Sequence, residues 1–151
     1  MAKKLLNGQL VDMTPDEEAE FEAGRTPTLP QARRHMRDLI AQHRERAEQG
    51  GFTHSAVVYG SRGADLARLS ILAQRARTAK ADSENTWRAR MVAADDSESN
   101  MTADEVIALE KSAGDHFVAC AANARTLRQA VNNAADVASC LAVDVNAGWP
   151  A

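Results

Sequence analysis

Aromatic side chains are scarce in this sequence: phenylalanine, tryptophan and tyrosine make up 4% of its 151 residues. Alanine carries much of the apolar share instead, which suits closely packed helices. Cysteine is nearly missing too. Cys120 and Cys140 are the only two, and they lie outside any CxxC spacing, which argues against zinc-ribbon or dithiol redox chemistry and leaves buried free thiols as the expectation. No segment approaches the roughly 18 to 20 consecutive apolar residues needed to span a bilayer. The opening "MAKKLLNGQLVDM" has no apolar run of signal-peptide length, so a soluble protein made and kept in a cytoplasm is expected. An excess of one charge is also lacking. A net charge of −3 gives no global attraction to nucleic acid or to an anionic membrane, and any such contact has to be local.

What is present is 44% hydrophobic and 26% charged residues, an ordinary globular balance at a length that suits one domain, or a compact domain plus an arm. "KLLNGQLV" sets Asn7-Gly8 between apolar residues, a strong signal for a two-residue hairpin. In "MTPDE", Thr14 caps a short helix, Pro15 suits its first position and Glu17 reaches back to the cap; Gly24 ends it. "GRTPTLP" then reads as a stiff linker. The organisation expected is an arm over residues 1–24, a linker over 25–30 and a helical body over 31–151.

Within the body, Leu29, Ala32, Met36, Leu39, Ile40, His43 and Ala47 recur at helical spacing up to Gln49, where Gly50-Gly51 stops the pattern. "FTHSAVVYG" predicts one or two short strands. Ser61 or Asp65 starts a second helix that carries Leu66, Leu69, Leu72, Ala73 and Ala76 to about Lys80. "TWRARMVA" alternates like a strand, and "ADDSESN" reads as a turn or exposed loop. "MTADE" repeats the earlier punctuation: Thr102 and Glu105 form a second capping box. The apolar series Val106, Leu109, Ala113, His116, Phe117, Cys120, Ala124, Leu127, Val131 and Ala134 predicts one helix of about 30 residues, roughly 45 Å long. Asp136 caps a last short helix with Val137, Cys140 and Leu141. The class expected is mainly α with small β-hairpins (α+β).

Candidate chemistry meets a structural explanation at each position. Asp16, Glu17, Asp104 and Glu105 lie in first helical turns, where carboxylates satisfy free N–H groups, and a catalytic pair needs a less polar setting. His116 and Cys120 share a helix face and could offer two metal ligands, with Cys140 and one of His35, His43 or His54 completing a set only through tertiary contact. Both already fit the apolar stripe. Arg33, Arg34, Arg37, Arg44 and Arg46 could meet phosphates, but Asp38, Glu45 and Glu48 interleave with them and no aromatics accompany them. "YGSRG" lacks the spacing and the following lysine of a phosphate loop. Trp87 and Trp149 flank helices, as interface anchors or as packing. No catalytic, cofactor-binding or metal-binding residue is therefore assigned, and no cofactor is expected.

Several landmarks recur in order: Arg33 and the helix ending at Gly50-Gly51-Phe52, Trp87-Arg88, Met101-Thr102 before a long helix with His116, and Gly148-Trp149-Pro150. Over about residues 29 to 150 the chain resembles the family catalogued as domain of unknown function 4376, often encoded among the tail and tail-fibre genes of tailed bacteriophages. "LLNGQLVDMTPDEEAEFEA" is similar to the opening of phage tail-fibre accessory proteins, where a hairpin leads into a "MTPEE" helix. Two departures are an Asp-Asp at Asp95-Asp96, later than the family's Asp-Asn, and Ser61 where an Asp is common. The resemblance implies no established enzymatic activity, and so a context rather than a mechanism. Together with the long helix and the separable arm, it leads to the expectation of a non-enzymatic virion protein of the tail, baseplate or fibre region, with other tail or tail-fibre proteins and copies of itself as partners; nucleic acid, membrane and a small-molecule substrate are not expected as partners. The alternatives are a tail-fibre assembly chaperone and, from another class, a small metal- or DNA-binding regulator.

Overall fold

The computed structural model describes residues 3–6 and 9–150. The chain opens with β1 (Lys3–Leu6) and β2 (Gln9–Asp12), antiparallel with Leu5 opposite Leu10. The Asn7-Gly8 turn expected between them lies outside the described residues. α1 (Pro15–Arg25) begins as "MTPDE" predicts: the Thr14 hydroxyl accepts the Glu17 N–H at 3.3 Å, and the Glu17 carboxylate accepts the Thr14 N–H at 3.0 Å. It runs one residue past Gly24, because the Thr26 N–H and hydroxyl both donate to the Glu22 carbonyl at 3.0 Å and close the last turn without a glycine.

Of the residues expected as a linker over 25–30, Arg25 ends α1 and Leu29 and Pro30 begin the next helix. α2 (Leu29–Gln49) starts on a capping box of its own, in which the Gln31 side chain accepts the Thr28 N–H at 2.8 Å, and Pro30 falls in its first turn. Only Thr26-Pro27-Thr28 connects α1 to α2. α2 buries Ala32, Met36 and Ile40 and ends at Gly50-Gly51. Gly51 has φ +102°, and a Cβ there would stand 2.9 Å from the Tyr59 carbonyl oxygen, so a side chain is excluded on both counts.

"FTHSAVVY" forms β3 (Phe52–His54) and β4 (Val57–Tyr59), joined through Ser55 and Ala56 at φ 50° and 63°. α3 (Gly63–Ala81) does not start at Ser61 or at Asp65. Its N-cap is Arg62, which supplies no side-chain cap, and Asp65 sits in the first turn. Ser61 is instead buried, its hydroxyl accepting the Gly51 N–H at 2.9 Å. The serine thus ties the end of β4 to the exit of α2 rather than capping.

β5 (Arg88–Val92) pairs with β6 (Glu98–Thr102), so "ADDSESN", expected as a turn or exposed loop throughout, is a turn that passes into a strand at Glu98. Asp95 and Asp96 make the turn, with the Asp95 carboxylate accepting the Ser97 N–H at 3.0 Å and Asp96 at φ 63°. β6 hid because only Met101 of its five residues is buried, leaving no alternation to read. Thr102 then caps α4 (Ala103–Asn133), with the Glu105 carboxylate 2.7 Å from the Thr102 nitrogen. Asp136 caps α5 (Val137–Leu141), its carboxylate accepting the Ser139 N–H at 2.7 Å.

The 31 residues of α4 make a rod of about 46 Å. α3 runs antiparallel along its first half, joined by the Arg77–Glu110 and Lys80–Asp104 ion pairs. α2 runs antiparallel along its second half, where His116 meets the Ala47 carbonyl and Arg33 the Ala134 carbonyl. The single apolar stripe of α4 therefore serves two cores. Val106, Leu109 and Ala113 pack with Phe52, Tyr59, Leu69, Ala73, Ala76 and the inner residues of β5–β6. Ala124, Leu127 and Val131 pack with Ala32, Met36, Ile40, Cys140 and Val145. Alanines at Ala73, Ala76, Ala113 and Ala124 permit the close helix approach that the composition suggested. Among the described residues the fold is mainly α with three two-stranded antiparallel sheets, an α+β class.

Candidate functional site

His116 and Cys120 lie where α4 passes from one core to the other. Both are buried, and the Cys120 sulfur is 3.7 Å from His116 Nε2. Nε2 is also 3.0 Å from the Ala47 carbonyl oxygen, which can only accept, so Nε2 carries a hydrogen and donates it there. The nitrogen facing the sulfur thus has no lone pair to offer. Phe52 and Phe117 stack obliquely and edge-on against the ring. Burial, with Glu48 adding to it, pushes the Cys120 thiol above its usual range despite Arg44 nearby, which keeps it protonated. The pair latches α4 to the end of α2 and packs.

The other groups weighed as ligands do not complete a set with it among the described residues. Cys140 is buried in the second core, His35 is exposed, His43 is half-buried, and His54 Nδ1 is 2.8 Å from the Ser112 hydroxyl. Among the described residues no three His, Cys, Asp or Glu side chains are grouped as metal ligands.

Among the described residues, three of the four first-turn carboxylates have a partner. Glu17 is held below the ordinary carboxylate range first by the Lys4 ammonium and then by the Thr14 N–H. Glu105 is held low by the Thr102 N–H and hydroxyl. Asp104 pairs with Lys80, and Asp16 is exposed. Both capping glutamates are fixed as anions, the opposite of a general acid.

Three of the five α2 arginines are engaged. Arg33 donates to the Ala134 carbonyl at 2.9 Å, a cation placed at the negative end of α4; Arg37 donates to the Asn132 side chain at 2.5 Å; Arg44 pairs with Glu48 at 2.7 Å. Arg34 and Arg46 are exposed. The role of Arg33 was invisible in sequence, since its acceptor lies 101 residues away. Trp149 donates to the Val145 carbonyl at 2.8 Å and packs on the second core, while Trp87 packs on the first.

Sequence reasoning missed a cleft of about 620 Å³ between the end of α2, the β3–β4 hairpin, the start of α3 and the β5–β6 turn. Its floor includes Phe52, Leu69 and Leu109, and its rim carries Arg62, Arg68, Asp65 and Asp96, so the formal charges cancel. No histidine, cysteine, serine or lysine lines it among the described residues.

The remaining surface of interest is the arm. Leu10 is 69% and Leu6 54% exposed, on a two-stranded sheet whose outer edges are unpaired among the described residues. An isolated hairpin of this size is marginal in water. The Lys4–Glu17 ion pair ties it to α1, yet neither α1 nor the hairpin packs extensively on the helices of the body among the described residues. No described helix is long and apolar enough to cross a membrane.

Residues 31–146 match the family model described as Domain of unknown function (DUF4376). No curated protein and no solved structure matches the chain.

Proposed function

We propose, since the chain belongs to the DUF4376 family, that it is a non-enzymatic structural protein of the tail, baseplate or tail-fibre region of a tailed bacteriophage. It is made in the cytoplasm of the host bacterium, assembles into the virion and works through protein–protein contact. The observation that carries the reading is the arm. A hairpin with Leu6 and Leu10 exposed and little packing on its own body among the described residues is short of the burial that would hold it, and a neighbouring protein supplies what is missing. The likeness of "LLNGQLVDMTPDEEAEFEA" to the openings of tail-fibre accessory proteins supports the phage context.

The non-enzymatic part is supported by where the candidate groups lie. Glu17 and Glu105 close helix caps, His116 donates to a backbone carbonyl, and Cys120 is protonated and packed. Mass spectrometry of purified phage particles tests the reading. The expected result is this chain at a fixed copy number per particle. Its absence from mature particles, together with fibre that becomes soluble only on coexpression, overturns it in favour of an assembly chaperone.

A further inference from the structure

The charge of the chain is divided unevenly between arm and body. Residues 1–25 hold Lys3, Lys4 and Arg25 against six acids, a net −3 that equals the charge of the whole chain, so residues 26–151 sum to zero. Within α1, Asp16 and Glu20 are one turn apart and exposed. The arm as a whole thus carries the acids of α1 together with the exposed Leu10 and Leu6 of the hairpin, and is both acidic and apolar.

The neutral body is not uniform either. On α2, Arg34 and Arg37 are successive positions of one outward stripe; on α4, Arg125, Arg128 and Asn132 are spaced by three and four residues and share another. The Arg37–Asn132 hydrogen bond joins the two stripes side by side. Arg34, Arg37, Arg125 and Arg128 are all exposed, and α4 carries no acidic residue from His116 to Asn133. Asp38, one turn beyond Arg34, is the nearest acid on α2, and Glu48 is taken by Arg44. None of Arg34, Arg125 and Arg128 has an ion pair among the described residues.

We propose that the acidic arm of one copy of this chain docks on the arginine face of α2 and α4 of a second copy. Charge complementarity selects this partner, and the connection between arm and body selects a second copy over the same one. Thr26 closes α1, Thr28 caps α2, and Pro27 fixes its own φ and favours the extended Thr26 (φ −77°, ψ 118°), so the three-residue linker leaves little rotation with which to fold the arm back along the body. Exchanged in both directions, the contact closes a two-fold dimer. The inference deepens the contact role proposed above by naming one partner. Its test reads self-association alone, so a dimer of this kind that is missing from virions defeats the virion reading and leaves this one standing.

Sedimentation equilibrium of the full-length chain at about 50 mM and about 500 mM salt is the first measurement. Association at low salt that dissociates at high salt is expected. Asp16→Lys with Glu20→Lys, and separately Arg125→Glu with Arg128→Glu, should each weaken self-association about tenfold or more while the helical circular dichroism is kept. Mixed one to one, the two variants should associate with each other, because each reversed arm then meets a reversed face and each native arm a native face. A monomer at both salt concentrations overturns the proposal. So does an association that survives both reversals, or a mixture of folded variants that stays monomeric.

Discussion

Two helices of this chain start on the same punctuation in different settings, and removing the cap from each should give different results. Thr102→Ala deletes the hydroxyl that accepts the Glu105 N–H at 3.3 Å, at the head of the helix that carries both cores. Loss of an N-cap costs about 1 kcal/mol. For a domain of this length that lowers the melting temperature by about 2 to 4 °C. Thr14→Ala deletes the same hydroxyl contact, also 3.3 Å, at the head of a helix that packs little on the body among the described residues. Its cost should stay local. Amide exchange over Pro15–Arg25 speeds up while the global melting temperature holds within about 0.5 °C. Scanning calorimetry and hydrogen exchange on the two variants check this side by side. A Thr14→Ala melting temperature that falls as far as that of Thr102→Ala refutes the separation of arm from body. No change in Thr102→Ala refutes the energetic reading of the capping box.

Leu109→Ala and Val131→Ala each open a cavity in a different core, and the first should cost about 2 to 5 kcal/mol by denaturant unfolding. The positions lie about 33 Å apart along α4, so the double variant should lose the sum of the two single losses to within about 0.5 kcal/mol. Ala56→Gly should raise stability by about 0.5 to 1 kcal/mol in the same assay, since Ala56 holds φ 63° in a hairpin turn that favours glycine. Glu105 has a folded pKa below its unfolded one, so its stabilising contribution is present above the unfolded value and is lost as pH falls through the folded value. Melting temperatures of the native chain and of Glu105→Gln should therefore differ at pH 7 and converge by about pH 2.

The long elements could be read because each carries its own evidence. The α4 stripe from Val106 to Val131 is buried at every predicted position except Phe117, which is half-buried, and Thr102 marks its start. α2 spans the residues its periodicity gave, Leu29–Gln49. What sequence could not show depends on partners far along the chain. The stripe of α4 looks continuous, and only the arrival of α3 on one half and α2 on the other divides it into two cores. Ser55 and Ala56 make a tight turn without the asparagine or glycine that would have announced it, because pairing of Phe52 with Tyr59 and His54 with Val57 holds them there. Thr28 passed as linker although it caps α2, since two prolines beside it suggested a stretch without helix. The cleft rim of Arg62, Asp65, Arg68 and Asp96 joins segments that share no motif.

With two cores threaded on one rod, α4 is also the chain's mechanical member. A pull on the β5–β6 hairpin enters the rod at Thr102, and a pull on α5 or the arm enters it through Ala134 and α2. Between them stands Gly114, exposed, with nothing within 4 Å of where a Cβ would be, and as the only glycine in α4 it weakens the helix there by about 0.5 to 1 kcal/mol relative to alanine. The His116–Ala47 bond two residues on spans the same place from the side, so the strut has a weak point and a brace within one turn of each other.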